Sequence, residues 1–194
     1  MKQEFSVESG LSRLEGFVGR VQVNLLADLI GEIREGYPLN WLGIHGASHW
    51  ARVLLNGIEL CSFTGANLNI LAMFSLFHDS RRVCDLIDPD HGRRGGALAR
   101  SLLSGRPEWD EESLSILCEA CEKHTAVKHH PNPTIQTCWD ADRLDLPRIG
   151  AVVDPAYLGA WTKTNQDLIA RASGRAREKQ YPFVELFECA RGKQ

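Results

Sequence analysis

Hydrophobic residues recur three and four positions apart along nearly the whole chain, the spacing typical of helices with one buried face. No convincing series of alternating apolar and polar residues, as in β-strands, is present. The spacing predicts helices over residues 21–35, 46–56, 67–82, 90–103, 110–125, 134–146 and 165–179. One or two short helices, broken at Gly10 and Gly16, are predicted over residues 6–20. We therefore predict an all-α fold, a single domain spanning residues 1–194.

Local signals at the helix ends support these bounds. The run Gly36-Tyr-Pro38 ends the helix over residues 21–35, and Gly57 is expected to stop the next one. Asp90 stands where an N-cap residue belongs. Asp110 opens a helix whose first turn is acidic, which is favourable against the helix dipole. The elements of the central part of the chain are therefore well delimited by sequence.

Composition adds a broad class but no specific function. The 194 residues are 43% hydrophobic and 24% charged, as in an ordinary soluble globular domain. The net charge of −3 gives no electrostatic reason to expect binding to nucleic acid or to an anionic membrane surface. The N-terminus lacks the apolar core of a signal peptide, and no apolar run reaches membrane-spanning length. We expect a cytoplasmic protein without a membrane partner.

The six cysteines are scattered along the chain, mostly beside apolar residues, which favours reduced thiols over a disulfide framework. Cys118 and Cys121 have the Cys-x-x-Cys spacing of zinc sites. Both lie on an apolar stripe with Leu114 and Leu117, and no second cysteine pair follows. Core packing is therefore the favoured interpretation, with metal binding as the alternative.

The strongest chemical signal is the doublet His78-Asp79, which closes the very apolar segment 68–77. Charge at the end of a buried helix is costly unless it is paired or bound to a metal ion. Imidazole and carboxylate are ligands for hard or borderline divalent cations. Further candidate ligands stand in helical settings before and after the doublet: His49, His91, His124 and Asp142.

Helical spacing separates Asp142 from its neighbour Asp140. Asp142 shares one face with Ile135, Cys138 and Trp139, where a carboxylate without a partner would be expensive. Asp140 lies about 200° round the helix from that face and is expected to meet solvent or an ion pair. Asp142 is therefore the candidate ligand of the two.

The histidines also have interpretations in which they are not metal ligands. His124 extends the apolar stripe of its helix and is alternatively a hydrogen-bonded core histidine. His91 begins the run His-Gly-Arg-Arg-Gly-Gly, whose glycines permit close approach to another backbone, and is alternatively a surface residue near a turn. His45, one turn before His49, is interpreted as a pocket residue and not as a direct ligand.

The order His49-Trp-Ala-Arg-Val53, then His78-Asp79, then Asp142 within Asp-Ala-Asp-Arg-Leu-Asp resembles the HD-domain superfamily of metal-dependent phosphohydrolases. The likeness covers residues from about 45 to 150. It implies an HD-domain helical bundle with its core at about residues 40–150 and helical extensions at both ends. It also implies that His49, His78, Asp79 and Asp142 are the basic metal ligands.

Further residues match less general features of that superfamily. Arg82 stands where many relatives carry the lysine of His-Asp-x-x-Lys, which implies contact with substrate phosphate. His91 and His124 resemble the two extra histidines of dinuclear members, and Asp79 is then suited to bridge two ions. The implied cofactor is one or two divalent ions of Mn, Mg, Fe, Co, Ni or Zn.

The resemblance implies a hydrolase for a phosphate ester or anhydride of a nucleotide or another small phosphorylated metabolite. A bound divalent ion lowers the pKa of its water and polarises a phosphoryl oxygen. Asp79 and Arg82 are the expected catalytic residues, and Arg82 and Lys123 the expected substrate-binding cations.

Two other functions stay open at this stage. HD-type di-iron oxygenases, similar to the inositol oxygenase group, have nearly the same order of ligands, so the ligands alone do not separate the two reactions. A degenerate HD domain acting as a non-catalytic nucleotide sensor is the third candidate, although the intact ligand set argues against it. The oligomeric state is not predicted.

Overall fold

The computed structural model describes residues 7–189. Within this range the chain forms helices and no β-strand, which confirms the predicted all-α fold. The α-helices are α1 (Val7–Val18), α2 (Arg20–Glu35), α3 (Ala47–Thr64), α4 (Leu68–Phe77), α5 (His91–Leu103), α6 (Glu111–Lys123), α7 (Pro133–Arg143), α8 (Gln166–Arg177) and α9 (Val184–Cys189).

The most apolar helix, α4, lies at the centre of the core. Every residue from Ile70 to Phe77 is buried, and α4 contacts α2, α3, α5, α6 and α7. Polar side chains fix the surrounding helices: Trp139 Nε1 donates to the carbonyl of Ala120 at 2.9 Å, which joins α7 to α6. Asn56 Nδ2 donates to the carbonyl of Ala141 at 3.0 Å and joins α3 to α7. These two bonds fix α7 against α3 and α6.

Capping residues set several of these ends. The Asn67 side chain accepts from the backbone N–H groups of Asn69 and Ile70 and so begins α4. Asn132 does the same at the start of α7, where Pro133 occupies the first helical position. Across residues 7–189, no helix has both the length and the apolar character that a membrane crossing requires.

The helix breaks predicted at three glycines are wrong. Helix α3 continues through Gly57 to Thr64, because α4 packs so closely that a β-carbon at Gly57 would overlap the Leu71 side chain. Helix α1 runs through Gly10 and Gly16 without interruption. One glycine costs a helix only about 1 kcal/mol, and α1 packs against α2 and α9. The first helix was predicted to begin at residue 6, which lies outside the described range together with residues 1–5.

The region after α7 contains more structure than the single helix predicted there. Three short 3-10 helices precede α8, at Leu146–Ile149, Pro155–Tyr157 and Thr162–Thr164, and α9 follows it. The first of them contacts α8, and α9 packs against α1, α2 and α3. This region therefore covers one side of α3 and α7.

The cysteine thiols are free at the five positions whose side chains are described, and Cys121 and Cys138 are buried. Cys118 Sγ donates to the carbonyl of Gly96 at 3.3 Å. Burial raises the pKa of the Cys121 thiol, which disfavours the thiolate that a metal ion requires. These contacts agree with core packing of the Cys118-x-x-Cys121 pair. The Cys189 side chain lies outside the described part.

Candidate metal centre

The six predicted ligands lie at or beside the ends of five different helices, and the fold brings these ends together. They are His49 in the first turn of α3, His78 and Asp79 just after α4, His91 at the start of α5, His124 just after α6, and Asp142 in the last turn of α7.

Glycines in α5 permit this convergence. A β-carbon at Gly92 would overlap the carbonyl oxygen of Cys121 in α6, and one at Gly95 would overlap the carbonyl oxygen of Phe77 in α4. Helix α5 therefore begins in direct contact with both neighbouring helix ends, as its glycine-rich sequence predicted. His91, its first residue, is carried to within reach of His124.

The first group of ligand atoms gathers around His49 and His78, whose Nε2 atoms are 3.0 Å apart. Asp79 Oδ2 lies 3.7 Å from His49 Nε2 and 3.8 Å from His78 Nε2. Asp142 Oδ1 lies 3.4 and 3.8 Å from the same two nitrogen atoms. We call these four side chains the first position.

The second group lies on the other side of the same carboxylate. The Nε2 atoms of His91 and His124 are 3.0 Å apart. Asp79 Oδ1 lies 3.2 Å from His91 Nε2 and 3.9 Å from His124 Nε2. We call His91, His124 and Asp79 the second position. Each oxygen of Asp79 thus faces a different pair of imidazoles, the arrangement of a bridging carboxylate.

Hydrogen bonds at Nδ1 determine the tautomer of all four imidazoles. Each ring has its Nδ1 atom at an oxygen that only accepts: Asp145 Oδ2 for His49 (2.7 Å), the Phe74 carbonyl for His78 (3.0 Å), the Asp88 carbonyl for His91 and the Cys121 carbonyl for His124 (2.7 Å). The proton of a neutral ring therefore resides on Nδ1, and Nε2 carries a bare lone pair. Two bare lone pairs 3.0 Å apart repel each other unless a cation lies between them. The donor set therefore fits divalent cations at both positions.

The charges in the cluster point the same way. Burial lowers the pKa of His78 to about 3 and also lowers the pKa of His91, so both rings are neutral at neutral pH. Desolvation acts to raise the pKa of Asp79 and Asp142, but the surrounding imidazoles outweigh it and hold both below the usual range. Two carboxylates thus lie in the same buried cluster as the neutral rings of His78 and His91, and a divalent cation would offset the negative charge of the carboxylates.

Asp145 is a site residue that the sequence reasoning missed. It is fully buried, and besides His49 it contacts Arg52, whose Nε and Nη2 atoms donate to it at 2.7 and 3.1 Å. Arg52 Nη1 in turn donates to the carbonyl of Gln180 at 2.8 Å. The spacing was the one available signal: Asp145 follows Asp142 by three residues, one helical turn, in a stretch whose other positions are typical of a buried core.

His45 is a pocket residue, as its sequence position indicated. Its Nδ1 atom lies 2.9 Å from Asp79 Oδ2, and its Nε2 atom lies 3.3 Å from the carbonyl of Asp85. His45 thus has an acceptor oxygen beside each ring nitrogen, and a proton on Nδ1 lets it donate to Asp79 and orient that carboxylate, with neither nitrogen directed at the two positions.

Arg82 is buried beside the second position. Its Nη1 atom lies 3.2 Å from His91 Nε2 and 3.5 Å from Asp79 Oδ1. The Nε and Nη2 atoms donate to the carbonyls of Cys84 and Leu86 at 3.2 and 2.9 Å. The guanidinium is thus engaged on all sides, and its predicted contact with substrate phosphate stays a prediction.

Lys123 is not brought into this cluster. Its side chain is 45% exposed on the surface of α6, and Nζ donates to Glu119 Oε1 at 2.7 Å, one turn earlier. The substrate-binding role predicted for Lys123 therefore has no contact in its favour and stays a prediction.

The expectation that Asp140 meets solvent or an ion pair is wrong. Its carboxylate is buried and accepts hydrogen bonds from Gln136 Nε2, the backbone N–H of Gly159 and the hydroxyl of Thr162. Burial raises the pKa of Asp140. The reason is the unpredicted 3-10 region, which lies over that face of α7 and converts a surface position into a buried one.

A cavity of about 290 Å³ opens beside the cluster. The metal-ligand candidates His124 and Asp142 line it, together with Thr125, Arg143, Leu146, Val152, Asp154 and Tyr157. The Arg143 guanidinium is occupied, because it donates to the backbone carbonyls of Lys128, Tyr157, Val127 and His124. A small molecule in this cavity would therefore meet the two ligand residues as well as the apolar side chains of Leu146 and Val152.

Comparison with known proteins identifies no relative of this chain. No family model matches the chain, and no curated protein and no solved structure matches it. The likeness to HD domains therefore rests on the residues themselves and on their arrangement.

Proposed function

We propose that this protein is a metal-dependent phosphohydrolase of the HD type. The observation that carries the proposal is the set of four bare Nε2 atoms directed at the two oxygens of Asp79, with Asp142 beside the first pair. Such a set is suited to one or two divalent cations among Mn, Mg, Fe, Co, Ni and Zn. The five free thiols are in keeping with a cytoplasmic location.

The roles of the chain's own residues follow from their contacts. His49, His78, Asp79 and Asp142 would hold one cation, and His91 and His124 with Asp79 would hold another. When bound, divalent cations supply Lewis acidity and lower the pKa of a coordinated water to about 7. Asp145 and the backbone carbonyls keep each imidazole in the tautomer that binds, and His45 orients Asp79.

The cavity favours a small substrate. Its volume of about 290 Å³ is at the lower end of the range for ligand pockets. A phosphate beside Asp142 and His124, which line the cavity, would lie next to the cations, and Leu146, Val152 and Tyr157 would be available to the organic part. We therefore propose an ester or anhydride of a nucleotide or another small phosphorylated metabolite.

Hydrolysis of phosphorylated substrates, followed by the products formed, tests the proposal. Protein purified without chelator, stripped and reloaded with Mn²⁺, Mg²⁺, Co²⁺ or Ni²⁺, is screened anaerobically against phosphate monoesters, diesters and anhydrides. We expect metal-dependent turnover that Asp142→Ala abolishes and that the matched control Asp140→Asn retains, since Asp140 contacts none of the six ligands. Metal-loaded protein that hydrolyses no monoester, diester or anhydride in the screen would refute the hydrolase. Nucleotide binding without turnover would point instead to the non-catalytic sensor.

One observation favours a second candidate, the HD-type di-iron oxygenase. Among the described residues that line the cavity, the one cation is Arg143, and its hydrogen bonds all go to backbone carbonyls. A pocket of this kind also suits an uncharged organic substrate. Iron analysis and oxygen consumption with polyol substrates distinguish the two: two irons per chain with oxygen-dependent turnover would establish the oxygenase.

A further inference from the structure

The two cation positions are not equivalent in their ligands. The first position has two imidazoles and two carboxylates, Asp79 and Asp142, and the carboxylate of Asp145 stands behind His49. The second position shares Asp79 and adds two imidazoles, each backed by a neutral backbone carbonyl. Because affinity for a divalent cation increases with the number of anionic ligands, the first position is the stronger.

A positive charge lies directly against ligand atoms of the second position. Arg82 Nη1 is 3.2 Å from His91 Nε2 and 3.5 Å from Asp79 Oδ1. These are the same two lone pairs that a second cation would use. Since the proton of His91 resides on Nδ1, its Nε2 atom accepts from Arg82, and the guanidinium takes the place of a cation there. A second ion therefore meets both competition for its ligands and repulsion at short range.

The contacts that hold Arg82 lie in an exposed segment. Its Nε and Nη2 atoms donate to the carbonyls of Cys84 and Leu86. The side chains of Val83, Leu86 and Ile87 are 61, 81 and 89% exposed, so this turn packs little against the core. For Arg82 to leave the second position together with residues 83–87, two contacts must break, that of the Asp85 carbonyl with His45 Nε2 and that of the Val83 N–H with Asp88 Oδ2. Neither contact involves the side chains of His91 or Asp79.

We propose that Arg82 determines how many cations the chain binds. One divalent cation binds tightly at the first position with Arg82 in place, and a second binds only when the guanidinium leaves His91 and Asp79. This inference rests on the proposed metal centre, but it concerns the order and strength of cation binding and makes no demand on the reaction catalysed.

Titration of the stripped protein with Mn²⁺, followed by calorimetry and by metal analysis, tests it. We expect two classes of site in the wild type, differing in affinity by at least about tenfold. Arg82→Gln removes the charge and should strengthen the weaker class by at least about tenfold while leaving the tighter class unchanged. Arg82→Lys keeps the charge, so the cation affinity of the weaker class should stay low. Arg93→Gln is the matched control, because Arg93 is exposed on α5 and pairs with Asp90.

Two equal classes in the wild type, or a weaker class that Arg82→Gln leaves unchanged, would overturn the inference. The tight class also reports correct folding of each variant. If Arg82→Gln does not fold, wild-type crystals grown with one equivalent and with excess Mn²⁺ decide the matter. We expect a second anomalous peak to appear together with displacement of Arg82, and a second peak with Arg82 in place contradicts the proposal. Absence of hydrolysis of every phosphate ester and anhydride tested would refute the hydrolase without affecting these results.

Discussion

The substitution Asp145→Asn tests the role of hydrogen bonding behind the first position. The Asp145 carboxylate accepts from His49 Nδ1 through Oδ2 and from Arg52 Nε through Oδ1. Asparagine has one oxygen, so its amide nitrogen must face either Arg52, which is also a donor, or His49. In the second case the amide donates to Nδ1, and the imidazole proton moves to Nε2. The lone pair directed at the first position is then lost.

The size of the effect follows from these contacts. Loss of an orienting partner behind a metal-bound histidine lowers metal affinity by about 10- to 100-fold, or about 1.4 to 2.7 kcal/mol. The variant also leaves the Arg52 charge, which is 3% exposed, without its carboxylate. Removing one member of a buried ion pair costs on the order of 3–5 kcal/mol of folding free energy. Both losses are large enough to measure separately.

Competition with a metal-binding indicator measures the affinity, and urea denaturation of the stripped protein measures the free energy of unfolding. Asp140→Asn is the control, since it also places an amide at a buried carboxylate of the α7 region, but away from the six ligands. We expect the tight class to weaken in Asp145→Asn and not in Asp140→Asn. An Asp145→Asn variant that folds and binds the first cation with wild-type affinity would refute the tautomer argument.

Three other substitutions test separate parts of the structure. Asp79→Ala should abolish metal binding and activity, because the Asp79 carboxylate faces both positions. Metal analysis that finds full metal content in this variant would contradict the expectation. The double substitution His91→Ala/His124→Ala should remove one of two bound equivalents, and a wild-type stoichiometry of one would show a single site. Gly95→Ala should lower the free energy of unfolding by about 1–3 kcal/mol, since its β-carbon would overlap the Phe77 carbonyl. An unchanged urea midpoint would contradict that packing argument.

Sequence was sufficient for those parts of the fold that local signals determine. The apolar run of α4 and the starts predicted at Asp90 and Asp110 placed these helix starts within one residue, although the Asp90 side chain makes no capping hydrogen bond. Gly57 misled the prediction, because a glycine that lets two helices approach is locally the same as one that ends a helix. That difference lies in the position of Leu71 on another helix, and helical periodicity carries no such information.

The same limit applies to the candidate site. Helical spacing selected Asp142 as the residue on the buried face, and the structure brings its carboxylate to His49 and His78. Helical spacing wrongly placed Asp140 on the exposed face, because the 3-10 region that buries Asp140 has no helical periodicity of its own. Asp145 was missed for a related reason: it lies just beyond α7, and its partner His49 is 96 residues earlier in the chain.

The metal content of the protein purified without chelator tests the central claim most directly. The bare Nε2 atoms of His49, His78, His91 and His124 around Asp79 predict at least one divalent transition metal ion per chain by mass spectrometry of the folded protein. The ion should be lost in His78→Ala and retained in Asp140→Asn. Folded wild-type protein that carries no such ion, and takes up none from excess Mn²⁺, Co²⁺, Ni²⁺, Fe²⁺ or Zn²⁺, would contradict the account.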